Sequence, residues 1–212
     1  MPPADHQKAV TYTTYLKVDE LLSLQEPLSD GPEHDELLFI TIHQVYELWF
    51  QQILHELSAL QPALENGDTH RSLALLGRVR SIMKTCVQQI DVLETMTPLQ
   101  FQSFRSRLSS ASGFQSAQFR EVEAVLGRRD HAGENATEGT GMKMAEHLVP
   151  GSSARNRVEA AMARPSVWDS ALRYCHVRGH EMPQDVLERD VTVSWEPRED
   201  VQAVLVSLHH HD

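Results

Sequence analysis

Residues 34–52, His-Asp-Glu-Leu-Leu-Phe-Ile-Thr-Ile-His-Gln-Val-Tyr-Glu-Leu-Trp-Phe-Gln-Gln, open the stretch that decides the fold class. Leu38, Ile42, Val45, Trp49, Ile53, Leu57 and Leu60 recur at helical spacing, so one amphipathic helix runs from about Asp35 to Leu64. Asn66-Gly67-Asp68 stops it. A second stripe, Leu73, Leu76, Val79, Ile82, Met83, Val87, Ile90 and Leu93, predicts a helix from about Thr69 to Met96. A break this short between two long amphipathic helices makes them antiparallel neighbours. The expected fold is therefore all-α, a helical bundle with two long antiparallel helices and shorter helices packed on them.

The first helix carries an anomaly. His43 lies inside an otherwise apolar and aromatic face, with Phe39 one turn before it and Tyr46, Glu47 and Phe50 following on or near the same side. Such a wall suits a flat aromatic ligand. The bland alternative is a core or interface histidine satisfied by a backbone carbonyl.

Pro98 opens a short helix that delivers Phe101 and Arg105 one turn apart, on a face that also carries Phe104. An unpaired guanidinium is costly to bury there, and a carboxylate satisfies its planar fork. That carboxylate belongs to a ligand, or to Glu94 or another helix acid. Ser112-Gly113 breaks the chain, and Gln115 to Leu126 reads as a further helix. Residues 127–156 are polar and glycine-bearing and are expected to be a mobile connection within a single domain, 1–212, whose N-terminal segment covers about residues 1–30. Val167–Val177 and Arg198–His211 read as the last helices, and only Val191-Thr192-Val193 has strand-like composition.

Composition excludes several classes. A formal charge of −11 disfavours nucleic acid, whose phosphates need clustered Lys and Arg. No apolar run is long enough to span a bilayer, and no charged n-region with an apolar h-region opens the chain, so a soluble cytoplasmic protein without a membrane partner is expected. Cys86 and Cys175 are too few and too far apart for a disulfide framework or a thiolate cage.

Four blocks carry a family resemblance: Thr11-Tyr12-Thr13-Thr14-Tyr15-Leu16 with Leu21-Leu22; the His34–Gln52 stretch; Leu93-Glu94-Thr95-Met96-Thr97-Pro98 with Phe101, Phe104 and Arg105; and Ser112 to Glu121, Ser-Gly-Phe-Gln-Ser-Ala-Gln-Phe-Arg-Glu. In order and spacing they resemble tryptophan 2,3-dioxygenases, haem enzymes that open the indole ring of L-tryptophan with molecular oxygen. The resemblance implies b-type haem, L-tryptophan or a related indole as substrate, N-formyl-L-kynurenine as product and a homo-oligomer, a tetramer in the family. It implies that His43 is the catalytic distal histidine and that Phe39, Ile40, Thr41, Ile42, His43, Phe101 and Arg105 bind substrate. It further implies that Tyr12, Tyr15 and Leu16 cross from a neighbouring subunit to cover the pocket. Phe101 stands where some members have Tyr.

The family's iron is held by a histidine in a Trp-Arg-x-x-His segment, and its substrate is closed in by a Gly-Thr-Gly-Gly-Ser loop. The matched pattern ends before both, so this chain is expected to be truncated relative to the family, to supply no metal ligand and to bind haem weakly or not at all by itself. Glu138-Gly139-Thr140-Gly141-Met142 lies between the wrong helices to be that loop, and His209, His210 and His211 point about 100° apart on a helix. Two alternatives stand beside the dioxygenase: a non-catalytic oligomerisation module, and a haem enzyme that oxidises an indole without opening its ring.

Overall fold

The computed structural model describes residues 10–31, 33–109, 115–128, 145, 148–183, 195 and 197–209. In chain order the helices are α1 (Tyr12–Leu16), α2 (Val18–Leu22), α3 (His34–Glu65), α4 (Thr69–Leu93) and α5 (Pro98–Arg105), the last running into a 3-10 turn at Ser106–Leu108. There follow α6 (Ala117–Leu126), α7 (Ser153–Ala163), α8 (Val167–Val177) and α9 (Glu199–His209). Among the described residues there is no strand, and the fold is all-α. Val191–Val193, the Ser112-Gly113 break, the 138–142 stretch, and His210 and His211 lie outside the described residues.

The two long helices run antiparallel. Their cross-links pair in opposite order: Gln89 Nε2 donates to the Ile42 carbonyl at 2.9 Å, Tyr46 Oη to the Cys86 carbonyl at 2.8 Å, and Arg78 Nη1 to both Glu56 oxygens at 3.0 and 3.1 Å. The turn between them is set by Gly67. At φ 70° it lets its own N–H bond the Leu64 carbonyl and the Asp68 N–H bond the Ala63 carbonyl, closing the last turn of α3. Asp68 then caps α4 by accepting from the Arg71 N–H at 3.0 Å.

The seam between α3 and α4 is the core. Ile53, Leu57, Leu60 and Leu64 meet Leu75, Leu76, Val79 and Ile82, and α6, α8 and α9 add Val122, Val167, Val201 and Val204. Each fully buried aliphatic side chain contributes roughly 1.5–3 kcal/mol. Tyr174, fully buried on α8, hydrogen-bonds Thr69 through its hydroxyl at 2.7 Å and so ties α8 to the start of α4.

The largest departures from the expected boundaries are at α4 and ahead of α7. α4 ends at Leu93 rather than Met96, because Pro98 drives Thr97 into extended backbone, ψ 155°, and the chain must leave the helix first. Thr97 and Gln100 then form a reciprocal cap on α5. The stretch expected to be a connection up to residue 156 gives way to α7 at Ser153, capped by Ser152. Its buried residues, Val158 and Ala161, the latter packed on Ala124 of α6, are small side chains that leave little apolar periodicity to read.

Ahead of α3 the chain is strapped along it. Glu36, 1% exposed, accepts from the Leu28 and Ser29 N–H groups at 2.7 and 3.1 Å, and Gln44 donates to the Leu24 carbonyl at 2.8 Å. α1 and α2 bury no residue at all. Among the described residues no helix is long and apolar enough to cross a membrane.

Candidate functional site

Helical spacing puts Phe39, His43, Tyr46, Glu47 and Phe50 along one side of α3, and two neighbouring helices bring aromatics to them. From α5, Phe101 and Phe104 stand 5.7 and 5.6 Å from Phe39 between ring centroids. From α6, Phe119 stands 5.3 Å from Phe50. The result is an aromatic cleft. Its main chamber, about 570 Å³, is lined by Phe39, His43, Tyr46, Glu47, Phe50, Ile90, Leu108, Gln115, Ser116 and Phe119. A second chamber of about 400 Å³ shares Phe39 and His43 and is closed by Leu93, Met96, Thr97, Pro98 and Phe101. A third, about 320 Å³, lies under Leu21 and Leu24 and shares His43 and Glu47 with the first. His43 is common to all three.

The state of its ring follows from one bond. His43 Nδ1 lies 2.7 Å from the Phe39 carbonyl oxygen, which can only accept, so Nδ1 carries the proton. In the neutral ring, Nε2 is then an acceptor, and among the described residues it has no protein partner. Phe39, 4.1 Å away between centroids, packs against the imidazole and fixes its plane. The histidine is therefore both of the things the sequence allowed. One nitrogen is satisfied by the backbone, and the ring still lines a cavity.

The other expected site residues divide. Phe39, His43 and Phe101 converge on the second chamber. Arg105 does not join them: it is exposed, lines neither chamber, and donates from Nη1 to the Ser109 carbonyl at 3.1 Å. Among the described residues it makes no ion pair, so the Glu94 alternative is absent as well. Ile40, Thr41 and Ile42 are not among the residues lining any of the three chambers. Thr41 is exposed and bonds the Leu37 carbonyl, while Ile42 is buried, because each step along the helix turns the side chain by about 100°. Tyr12, Tyr15 and Leu16 sit on α1, 77, 76 and 45% exposed, and line none of the three chambers.

Several lining residues were not singled out in the sequence. Leu108 arrives on the 3-10 turn, and Gln115 and Ser116 on the segment entering α6. Glu47 receives both N–H bonds of the Gln118 amide, at its side-chain Oε2 (2.8 Å) and its main-chain oxygen (2.9 Å). Nothing in spacing alone joins residues 47 and 118. Burial pushes the Tyr46 phenol up, with the nearby Cys86 thiol adding to it, and the hydroxyl spends its proton on the Cys86 carbonyl. Tyr46 thus presents ring rather than hydroxyl. Burial also pushes the Cys86 thiol up, which favours its protonated form.

The haem implied by the family resemblance fits the wall of this cleft. Phe39, Tyr46, Phe50, Ile90, Leu108 and Phe119 offer carbon surface suited to the face of a planar conjugated group, while the described lining holds no imidazole besides His43 that could ligate its iron. Among the described residues no cluster of three or more His, Cys, Asp or Glu stands where it could hold a bare metal ion.

Comparison with known proteins points the same way. A family model described as tryptophan 2,3-dioxygenase matches residues 2–212. A tryptophan 2,3-dioxygenase of Anaeromyxobacter sp. (strain K) is 50% identical over 211 residues, 99% of this chain and 74% of that protein. One from Herpetosiphon aurantiacus is 48% identical over 205 residues, 97% of this chain and 74% of that protein. One from Rhodococcus jostii is 36% identical over 209 residues.

Proposed function

This chain belongs to the tryptophan 2,3-dioxygenase family, oxidoreductases of tryptophan catabolism, and we propose that it opens the indole ring of L-tryptophan in the cleft headed by His43. The product of that reading is N-formyl-L-kynurenine, with dioxygen as the second substrate. One observation carries the assignment of the site. His43 holds its Nδ1 proton on the Phe39 carbonyl, keeps Nε2 as an acceptor and lines an aromatic chamber, which supports reading it as the partner of an indole N–H.

Phe50 and Phe119 would offer their rings to the face of a bound haem, and that group would supply the activation of dioxygen. The chain's own residues do the rest. Phe39 and Phe101 flank the indole plane, His43 Nε2 accepts its N–H, and the carbon-rich lining excludes water. Arg105, whose guanidinium makes no ion pair among the described residues, takes the substrate carboxylate when the ligand is present. Tyr12, Tyr15 and Leu16 cover the cleft of a neighbouring copy within a homotetramer, which accounts for a helix that buries nothing on its own chain. The 212 residues act as one domain, with α3 and α4 as its spine.

The test is His43→Ala on haem-loaded protein. Turnover of L-tryptophan to N-formyl-L-kynurenine falls about 10²-fold, within the usual range for a positioned acid–base group, while haem content is retained. Equal turnover in the variant would remove His43 from the reaction and with it this placement of the site.

A further inference from the structure

The bond that joins α6 to α3 lies at the height of the main chamber, and its placement gives it a task. Glu47 is one turn beyond His43 and lines two of the same chambers. The Gln118 amide nitrogen puts its two N–H groups on one residue, Glu47 Oε2 at 2.8 Å and the Glu47 carbonyl at 2.9 Å, so side chain and main chain of α3 are gripped together. The next residue, Phe119, is the cleft's wall on the α6 side. Its ring stands 5.3 Å from Phe50, its N–H is capped by Ser116 Oγ at 3.1 Å, and the Arg120 guanidinium lies 5.1 Å over its face. Those local bonds fix Phe119 relative to α6 alone. The Gln118–Glu47 bond pair, by contrast, ties that turn of α6 by polar contact to the turn of α3 just beyond His43.

We propose that Glu47 and Gln118 are a pair of positioning residues that hold Phe119 at the spacing from Phe50 and His43 needed to admit a planar aromatic group. The pair touches no reacting atom. It rests on the reading that this cleft receives the planar groups of the reaction, and it adds to that reading what sets the width of the slot. Apolar packing between α3 and α6 would keep the helices together without the pair, but carbon contacts are non-directional and tolerate a slide that two hydrogen bonds from one amide do not.

The experiment uses the chain labelled with 4-fluorophenylalanine at its six phenylalanines, the Phe119 fluorine resonance being identified by its loss in Phe119→Leu. Gln118→Glu sets two carboxylates against each other, and the Phe119 resonance is expected to shift or broaden. The exchanged variant E47Q/Q118E rebuilds the side-chain bond with donor and acceptor reversed and returns the resonance toward its original position, which a merely structural weakening would not do. Hemin titration of the same samples is expected to show about tenfold weaker uptake in Q118E, the equivalent of one charge-assisted hydrogen bond, and recovery in the exchanged variant. If Q118E fails to fold, Glu47→Ala, which spares the main-chain bond, is read in its place by the same two signals. A Phe119 resonance in Q118E that superimposes on the parent overturns the proposal, as does a moved resonance with unchanged hemin affinity. Absence of hemin uptake by the parent counts against the cofactor reading, while the fluorine signal still decides whether the pair positions Phe119.

Discussion

At the scale of single residues, the site turns on which polar groups are already satisfied. His43 spends Nδ1 on its own helix and keeps Nε2, so replacing it by Gln, whose carbonyl also accepts, retains more activity than replacing it by Ala. Equal turnover of the two variants would count against an acceptor role. Arg105 presents the opposite case, an exposed cation with one carbonyl partner. Arg105→Ala raises KM for L-tryptophan about ten- to hundredfold with a smaller change in kcat, as expected for loss of a charge-assisted bond worth about 1.5–3 kcal/mol. Arg105→Lys recovers only part of this, because an ammonium lacks the bidentate fork. The discriminating substrate is tryptamine, which has no carboxylate. Its handling should be the same in Arg105→Ala as in the parent, and a matching loss on tryptamine would show that Arg105 acts on the fold instead.

At the scale of elements, two devices set how α3 meets its neighbours. Gly67 occupies the left-handed region at φ 70°, and a Cβ there would stand 3.0 Å from Val177 Cγ1. Gly67→Ala therefore costs about 1–2 kcal/mol from the backbone conformation alone, with crowding against α8 added, and a chemical denaturation curve reads it as a lower midpoint at unchanged slope. Glu36 straps the preceding segment onto α3. Burial pushes its carboxyl up, but the Ser29 hydroxyl, the Leu28 and Ser29 amides and the Arg107 charge outweigh burial and hold it below the ordinary glutamate range. A group with a depressed folded-state value contributes its stability above the unfolded value, and that contribution is lost as the pH falls through the folded value. Glu36→Gln thus lowers the melting temperature at about pH 7, and by progressively less as the pH is taken down through the folded-state value of the parent carboxyl. A deficit that stays the same as the pH falls would mean that the charge of Glu36 is irrelevant to the strap.

At the scale of the whole molecule, the feature that stands apart is the N-terminal arm. Tyr12 and Tyr15 are more than three-quarters exposed, and Val10, Leu22, Leu24 and Leu28 are exposed between 60 and 75%. The proposed homo-oligomer would take this apolar surface out of water against another copy. Deleting the residues up to Leu16 is expected to reduce the mass of the assembly by light scattering and to weaken tryptophan binding in haem-loaded protein. Unchanged mass together with unchanged affinity would sink the covering role of the arm.

Much of this was legible in the residue order. The 3.6-residue stripes of α3 and α4 and the Asn66-Gly67-Asp68 break determined an antiparallel all-α spine, because a helix with one apolar face must bury it and a three-residue turn leaves only the neighbouring helix within reach. The i,i+4 spacing likewise put Phe39 beside His43. Helix α7 escaped because Val158 and Ala161 form a buried face too small in volume to stand out as a period. What only the tertiary structure decided is the rest of the cleft: that Phe101 and Phe119 come to α3 from two other helices, that Arg105 faces solvent beside Ser109, and that Gln118 grips Glu47 across 71 positions of chain. Local propensity reports what a residue's own turn of helix wants, whereas a bond between distant turns exists only after the core has fixed how the helices are set against one another.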